Sequence, residues 1–177
     1  MAYNYKKSQN SLFPIKIKDQ ELQLNSEQIS ELIKKKMETD PAVLRVFKEF
    51  ETDISKLSEL KIEIVELNDR YAETDIESMR LSPQLFRGGN FFRDYYFVVV
   101  HEIVHWLTRI KESRAFFNDP EEIDGFLASI MSELSRGISV DEIWNKIFPK
   151  IEFHFHRKED ARQFFISLLE KAQASLN

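Results

Sequence analysis

Residues 98–107 read VVVHEIVHWL and place three ionisable side chains inside the most apolar segment of the chain. Because apolar residues stand before, between and after them, a helix over this stretch is apolar on every side. Such a helix is buried at the centre of its domain, and other elements must cover all of its faces. The sequence therefore predicts a central helix that begins at Phe91, just after the break at Gly88-Gly89, and ends at about Lys111.

The two histidines of this stretch, His101 and His105, are four positions apart and so lie on one face of the helix. Both imidazoles can then reach a single ion, as in the H-E-x-x-H pattern of zinc enzymes. A pair of structural core histidines is the alternative, but burying them without polar partners is costly. A metal ion satisfies both rings. The pattern favours zinc, with His101 and His105 as ligands.

The acidic residue of the pattern, Glu102, stands beside the first predicted ligand. A carboxylate at this position faces a water molecule held by the ion, from which it can take a proton and pass it to a leaving amine. We therefore predict Glu102 as the catalytic general base.

A third ligand is expected downstream, and Glu122 is the favoured residue, 17 positions after His105. It lies at the start of the next predicted helix, on the same stripe as Phe126 and Ile130. An antiparallel helix pair brings that start close to the end of the central helix. Small residues on this second helix, Gly125 among them, permit the two helices to pack closely.

Other roles for this acidic segment stay open at the level of sequence. If Asp119 caps the helix before Pro120, Glu122 occupies the third helical position, where a capping-box glutamate belongs. Glu121 is a second candidate for the third ligand. Asp124 is either a ligand or a partner that orients one of the histidines.

The remaining patterns predict helices, then a small sheet, then further helices, which is an α+β arrangement. Residues 1 to about 20 are predicted to be irregular or weakly extended. Helices are predicted from Asn25 or Ser26 to Met37, from Asp40 to about Glu59, from Asp119 to Gly137, from Ser139 or Asp141 to about Pro149, and from about Glu159 to Ala174. A strand is predicted over residues 61–67, with one or two more over residues 71–86.

The motif His101-Glu102-x-x-His105, followed by Glu122-x-x-Gly125, resembles the gluzincin metallopeptidases, although alanine is usual where Gly125 stands. Residues 61 to 136 are more narrowly similar to compact metallopeptidase-like proteins of bacteriophages and other mobile elements. The resemblance implies a zincin-like core, in which a small sheet packs on the H-E-x-x-H helix and an edge strand lines the cleft. We expect a metallopeptidase domain over residues 61–177, with residues 1–60, which the resemblance does not cover, as a helical region packed on it.

A second histidine pair, His154 and His156, alternates with phenylalanine in residues 151–156, which we interpret as a strand. One of them is a weak candidate for binding the oxyanion that forms at the attacked carbonyl. A solvated surface pair is the alternative. An extended substrate is expected to pair with an edge strand at Glu77 to Leu81.

Composition narrows the possible functions. The chain has no cysteine, which excludes disulfides and thiolate zinc sites. Its net charge of −5 with no basic stripe argues against a nucleic-acid partner. The longest apolar run, residues 95–100, is too short to span a membrane, and we find no secretory signal. A cytoplasmic protein is expected, located in the host cytoplasm or the virion if it is phage-encoded.

Together these patterns predict a zinc metalloendopeptidase that hydrolyses peptide bonds in a peptide or protein substrate. The alternative is a structural or interaction protein of a phage or mobile element. Such a protein would keep the metallopeptidase fold without turnover and bind a protein partner or join virion assembly.

Overall fold

The computed structural model describes residues 11–17, 20–112 and 119–176, and these form the predicted α+β arrangement. The strands are β1 (Phe13–Ile17), β2 (Gln20–Leu24), β3 (Lys61–Ile64), β4 (Ala72–Thr74) and β5 (Ser78–Leu81). The helices are α1 (Ser26–Met37), α2 (Pro41–Glu49), α3 (Phe91–Asp94), α4 (Tyr96–Glu112), α5 (Asp119–Ser135), α6 (Val140–Glu152) and α7 (Lys158–Leu176). Short 3₁₀ helices cover Ile54–Ser58 and Pro83–Phe86.

The predicted central helix is present as α4, preceded by the single turn α3. Tyr95, with φ −131°, separates the two. On one side α4 contributes to a core shared with the three-stranded sheet, α1 and α2, through residues such as Val100 and Trp106. On the other side Phe97 and Val98 join a core formed with α5, α6 and α7. The helix is therefore covered on both faces, as its all-round apolar sequence requires.

The three-stranded sheet has the order β3-β5-β4, with β3 parallel and β4 antiparallel to β5. The predicted edge strand at Glu77 to Leu81 is therefore wrong, because β5 is paired on both sides. Three of its four residues are buried, as expected for a central strand. The edge strand beside α4 is β4, which packs directly against that helix.

The first part of the chain departs from the prediction in two places. A paired hairpin of β1 and β2 begins in the segment that was expected to be irregular or only weakly extended. The helix α2 begins as predicted, with the Asp40 carboxylate accepting from the backbone N–H groups of Ala42 and Val43, but it ends at Glu49 and not near Glu59. Glu51 has a φ of +47°, and this left-handed residue turns the chain before the 3₁₀ helix.

The first helix follows its prediction closely. Asn25 and Gln28 form a reciprocal capping box, with N–H to side-chain oxygen distances of 2.9 and 3.0 Å. The elements before β3 share the sheet-side core with later ones, since Ile33 and Phe47 belong to the same cluster as Met79 and Val100. The division into residues 1–60 and 61–177 stays a prediction.

The predicted strand over residues 151–156 is wrong, because α6 continues past Pro149 to Glu152. Ile143, Ile147 and Ile151 recur every four positions and are fully buried. The free energy gained by burying these side chains on one helix face outweighs the strand preference of the short alternating sequence that follows. Proline has no backbone N–H and so cannot donate a helical hydrogen bond. Because Pro149 is exposed, this hydrogen bond is missing on the solvent side of the helix. None of the helices described is long and apolar enough to cross a membrane.

Candidate metal centre

The close approach of α4 and α5 depends on Gly125. A Cβ atom at this position would lie 2.7 Å from Nδ1 and 2.8 Å from Cε1 of His101, closer than side chains tolerate. Four residues along α5, the buried Ser129 hydroxyl donates to the carbonyl of Phe97, 3.0 Å away on the chain that enters the motif. The prediction that small residues let the two helices pack closely is confirmed at Gly125.

This packing brings His101, His105 and Glu122 together in one group that can hold a metal ion. The two histidine Nε2 atoms are 3.0 Å apart. The Glu122 carboxylate reaches both rings, with Oε2 3.2 Å from Nε2 of His101 and Oε1 3.4 Å from Nε2 of His105. The second helix thus supplies the residue that its core-facing stripe indicated.

The spacing of these atoms fits a tetrahedral ion. Bonds of about 2.0–2.1 Å to zinc place neighbouring ligand atoms of a tetrahedron about 3.3 Å apart. The two nitrogens are 3.0 Å apart, and each lies 3.2 or 3.4 Å from a different oxygen of the Glu122 carboxylate, so the separations are close to that value. Two nitrogens and one carboxylate make three candidate ligands, one fewer than the four protein ligands of a structural zinc site.

Electrostatics keep the third member of the group ionised. Hydrogen bonding to His101, then to His105, holds the pKa of Glu122 well below that of an ordinary glutamate, against the opposing effect of burial. The side chain of Glu122 is 32% exposed, while those of His101 and His105 are only 14% and 10% exposed. A negative charge held beside two imidazole nitrogens is a combination of ligand groups that suits a divalent cation.

The predicted general base, Glu102, lies on a neighbouring face of α4 and contacts the edge strand. Its Oε2 atom accepts a short hydrogen bond of 2.5 Å from the hydroxyl of Thr74, the last residue of β4. Thr74 is 6% exposed, so this contact is shielded from water. The sequence did not single out Thr74, because a threonine that ends a short strand carries no signal of what it faces.

His154 also lies near the group, although not through the strand that was predicted to carry it. It sits on the turn after α6, with its Nε2 atom 3.9 Å from Oε2 of Glu122. Its ring packs at 5.8 Å from that of Phe126, which in turn lies 4.7 Å from the His101 ring. His156 is exposed, two residues further along the chain.

The other acidic residues considered as ligands are not among the three side chains of this group. The electrostatic neighbours that affect Asp124 are Glu49 and Lys171, on α2 and α7, which puts its carboxylate away from the histidines. Burial and the charge of Glu49 raise the pKa of Asp124 above that of an ordinary aspartate. The side chains of Asp119 and Glu121 lie outside the described part of the chain.

A site with this composition can bind a metal ion, and the carboxylate of Glu102, which adjoins one of the histidines in sequence, contacts the edge strand. No family model, curated protein or solved structure matches the chain. The functional argument therefore rests on the chain's own residues, and these form a possible metal-binding group of two histidines and a glutamate.

Proposed function

We propose that this protein is a zinc-dependent peptidase. The observation that carries the proposal is the pairing of a three-ligand group with Glu102. That carboxylate follows directly after a ligand histidine, yet it bonds to the edge strand rather than joining the ligands. A purely structural zinc site has four protein ligands and no need of such a carboxylate.

Zinc on these ligands supplies a Lewis acid that polarises a carbonyl group and makes a water molecule more acidic. Glu102 accepts one proton from the attacking water as its oxygen bonds to the carbonyl carbon. It then delivers that proton to the peptide nitrogen as the carbon–nitrogen bond breaks. The products are one carboxyl group and one amine, and Glu102 returns to its ionised form. Thr74 holds the carboxylate in position for both transfers.

The substrate is proposed to lie in extended form along β4, which replaces the earlier placement on residues 77–81. This strand pairs with β5 on one side only and ends at the residue that contacts Glu102. Adding a peptide strand to a free edge satisfies its backbone hydrogen bonds and requires no deep pocket.

His154 is proposed as the donor to the oxyanion. Its ring packs against Phe126, close to Glu122 but too far for a hydrogen bond to it. Loss of one oxyanion donor typically lowers turnover by about 10²–10³-fold. We expect His154→Ala to have an effect of this size and His156→Ala to have none.

The test is metal content measured together with cleavage of a broad peptide library. The wild type should carry one zinc ion per chain, and its cleavages should disappear with a chelator. Glu102→Gln should retain the zinc and the fold but lower cleavage by about 10²–10⁴-fold. Glu31→Gln, an exposed position on α1, is the matched control and should cleave like the wild type.

Two results would contradict the proposal. Undiminished cleavage by Glu102→Gln would remove this residue from the mechanism. A fully zinc-loaded wild type that cleaves nothing across the library would favour the alternative function. That alternative is a phage or mobile-element interaction protein that keeps the metal group for a partner.

A further inference from the structure

A lysine and two tyrosines meet at the end of β4 that lies away from Glu102. The ammonium of Lys150, on α6, lies 3.8 Å from the centre of the Tyr71 ring. That ring stacks on Tyr95 at 6.1 Å, just before α4 begins. We call Lys150, Tyr71 and Tyr95 the lysine–tyrosine cluster. It joins the edge strand, the central helix and α6 at one point.

Lys150 differs from neighbouring lysines in having an aromatic ring, and no carboxylate of the described residues, beside its ammonium. Within the described residues, no carboxylate oxygen is paired with its ammonium, whereas Lys146 and Lys158 on either side contact Glu133 and Glu152. The side chain is half-buried, and burial lowers the pKa of Lys150 below that of an ordinary lysine. Its aromatic contact stabilises the cation, and an ammonium has three N–H donors that can bind a carboxylate.

The lysine–tyrosine cluster and the proposed reaction centre lie at opposite ends of β4. Tyr71 contacts Tyr95, and three residues later Thr74 contacts Glu102, so β4 runs alongside α4 in the same direction. Three residues of strand cover about 10 Å. On α6, the last residues of the helix and the turn that follows it lead from Lys150 to His154, which lies near Glu122. The edge strand and the segment from Lys150 to His154 therefore both lead from the cluster towards the group of His101, His105 and Glu122.

We propose that Lys150 binds the C-terminal carboxylate of the peptide substrate, so that the protein removes di- or tripeptides from C-terminal ends. This rests on the proposed function. A peptide whose C-terminus lies at Tyr71 runs antiparallel to β4, which is the more stable of the two pairings. The distance of about 10 Å to Glu102 corresponds to two or three extended residues between the cleaved bond and the carboxylate.

The first experiment measures binding alone. The zinc-loaded Glu102→Gln protein is titrated by NMR with N-acetyl-trialanine and, separately, with its C-terminal amide. The free acid should bind about tenfold more tightly, the scale of one hydrogen-bonded charge pair. Lys150→Met, which keeps an apolar stem over Tyr71, should remove that preference, and Lys150→Arg should retain much of it. Lys35→Met, on an exposed face of α1, should leave it unchanged.

Equal affinity for acid and amide, or a preference that survives in Lys150→Met, would overturn the assignment. A preference that survives in Lys150→Met would mean that the C-terminal carboxylate of the peptide binds elsewhere, for example to the metal ion. Resonances of Tyr71 and Ala72 should shift on binding of the acid, and a Lys150→Met spectrum that is otherwise unchanged shows that the fold is intact.

The second experiment follows cleavage of longer peptides with free or amidated C-termini, with products identified by mass spectrometry. Release of di- and tripeptides from free ends alone supports the inference. Zinc-dependent cleavage of both sets at internal bonds overturns it, while the peptidase proposal stands. A carboxylate preference in binding without any cleavage would sink the peptidase proposal and leave Lys150 as a carboxylate-binding residue.

Discussion

The two histidine pairs of this chain share a residue type but occupy different structures. His101 and His105 lie one turn apart on the most buried helix, with their Nε2 atoms 3.0 Å apart and a carboxylate across both. His154 and His156 lie on an exposed turn between two helices. Of this second pair, His154 lies near the metal group, at a distance of 3.9 Å from Glu122.

The difference shows what converts histidines into a candidate metal site. Spacing along a rigid helix fixes both rings of the first pair on one side, so their nitrogens converge without further help. The second pair follows the end of α6, where successive side chains diverge, and only one ring is held by a neighbour, Phe126. Separate mutations of each pair, and of the residues that hold the first, test this contrast.

The largest effect is expected from the buried pair. His101→Ala or His105→Ala leaves two protein ligands, which hold zinc poorly, so each variant should lose stoichiometric metal at micromolar concentrations. Atomic absorption of the purified proteins measures this directly. Full zinc content in both variants would show that the buried histidines are core residues and not ligands.

A smaller but still large loss is expected at the third member of the group. Glu122→Ala should weaken zinc binding by at least about 100-fold, above the range seen for outer-sphere partners. Glu121→Ala serves as the matched control and should bind zinc like the wild type. Competition with a chelating dye gives both affinities. A larger effect of Glu121→Ala would mean that the ligand assignment on α5 is off by one residue.

An intermediate effect is expected from Gly125→Ala. The added methyl group would lie 2.7 Å from the His101 ring, so the ring or the helix must shift. Displacing a ligand in this way should weaken zinc binding by about tenfold, similar to the loss of an outer-sphere contact. Gly88→Ala, where a methyl group meets nothing within 4 Å, is the control. Unchanged affinity in Gly125→Ala would show that the two helices adjust freely.

The smallest effect on metal affinity is expected from the exposed pair. His154→Ala should change zinc affinity by no more than about threefold, because its distance to Glu122 is too long for a hydrogen bond. His156→Ala should change it even less. A large loss of zinc in His154→Ala would instead make His154 a fourth ligand. Both histidine pairs would then contribute to zinc affinity, and they would differ only in how much.

The sequence predicted the metal group more accurately than its surroundings. The four-residue spacing of His101 and His105 is enough to place both on one face of their helix. Glu122 was placed on the core-facing side of the next helix because it shares a stripe with apolar residues. These are local properties of regular helices, and they survive folding unchanged. Thr74 was not predicted because its role depends on which strand becomes the sheet edge, a property of the whole topology.

The errors in secondary structure have similar causes. The helix from Asp40 was extended to about Glu59 because apolar spacing continues through the left-handed turn at Glu51. The alternation in residues 151–156 resembled a strand, although Ile151 completes the buried stripe of α6. The hairpin of β1 and β2 has an exposed second strand, which lacks the alternating apolar signal of a half-buried one.

The three members of the candidate metal group come from two helices, with His105 and Glu122 separated by 17 positions of chain. A bound ion therefore closes a loop and ties α5 to α4 in addition to serving any reaction. By mass action, free metal at 100 times its dissociation constant would add about 2.7 kcal/mol to the free energy of unfolding. The metal supply of the cell would then set how long each molecule survives proteolysis, as well as how fast it works.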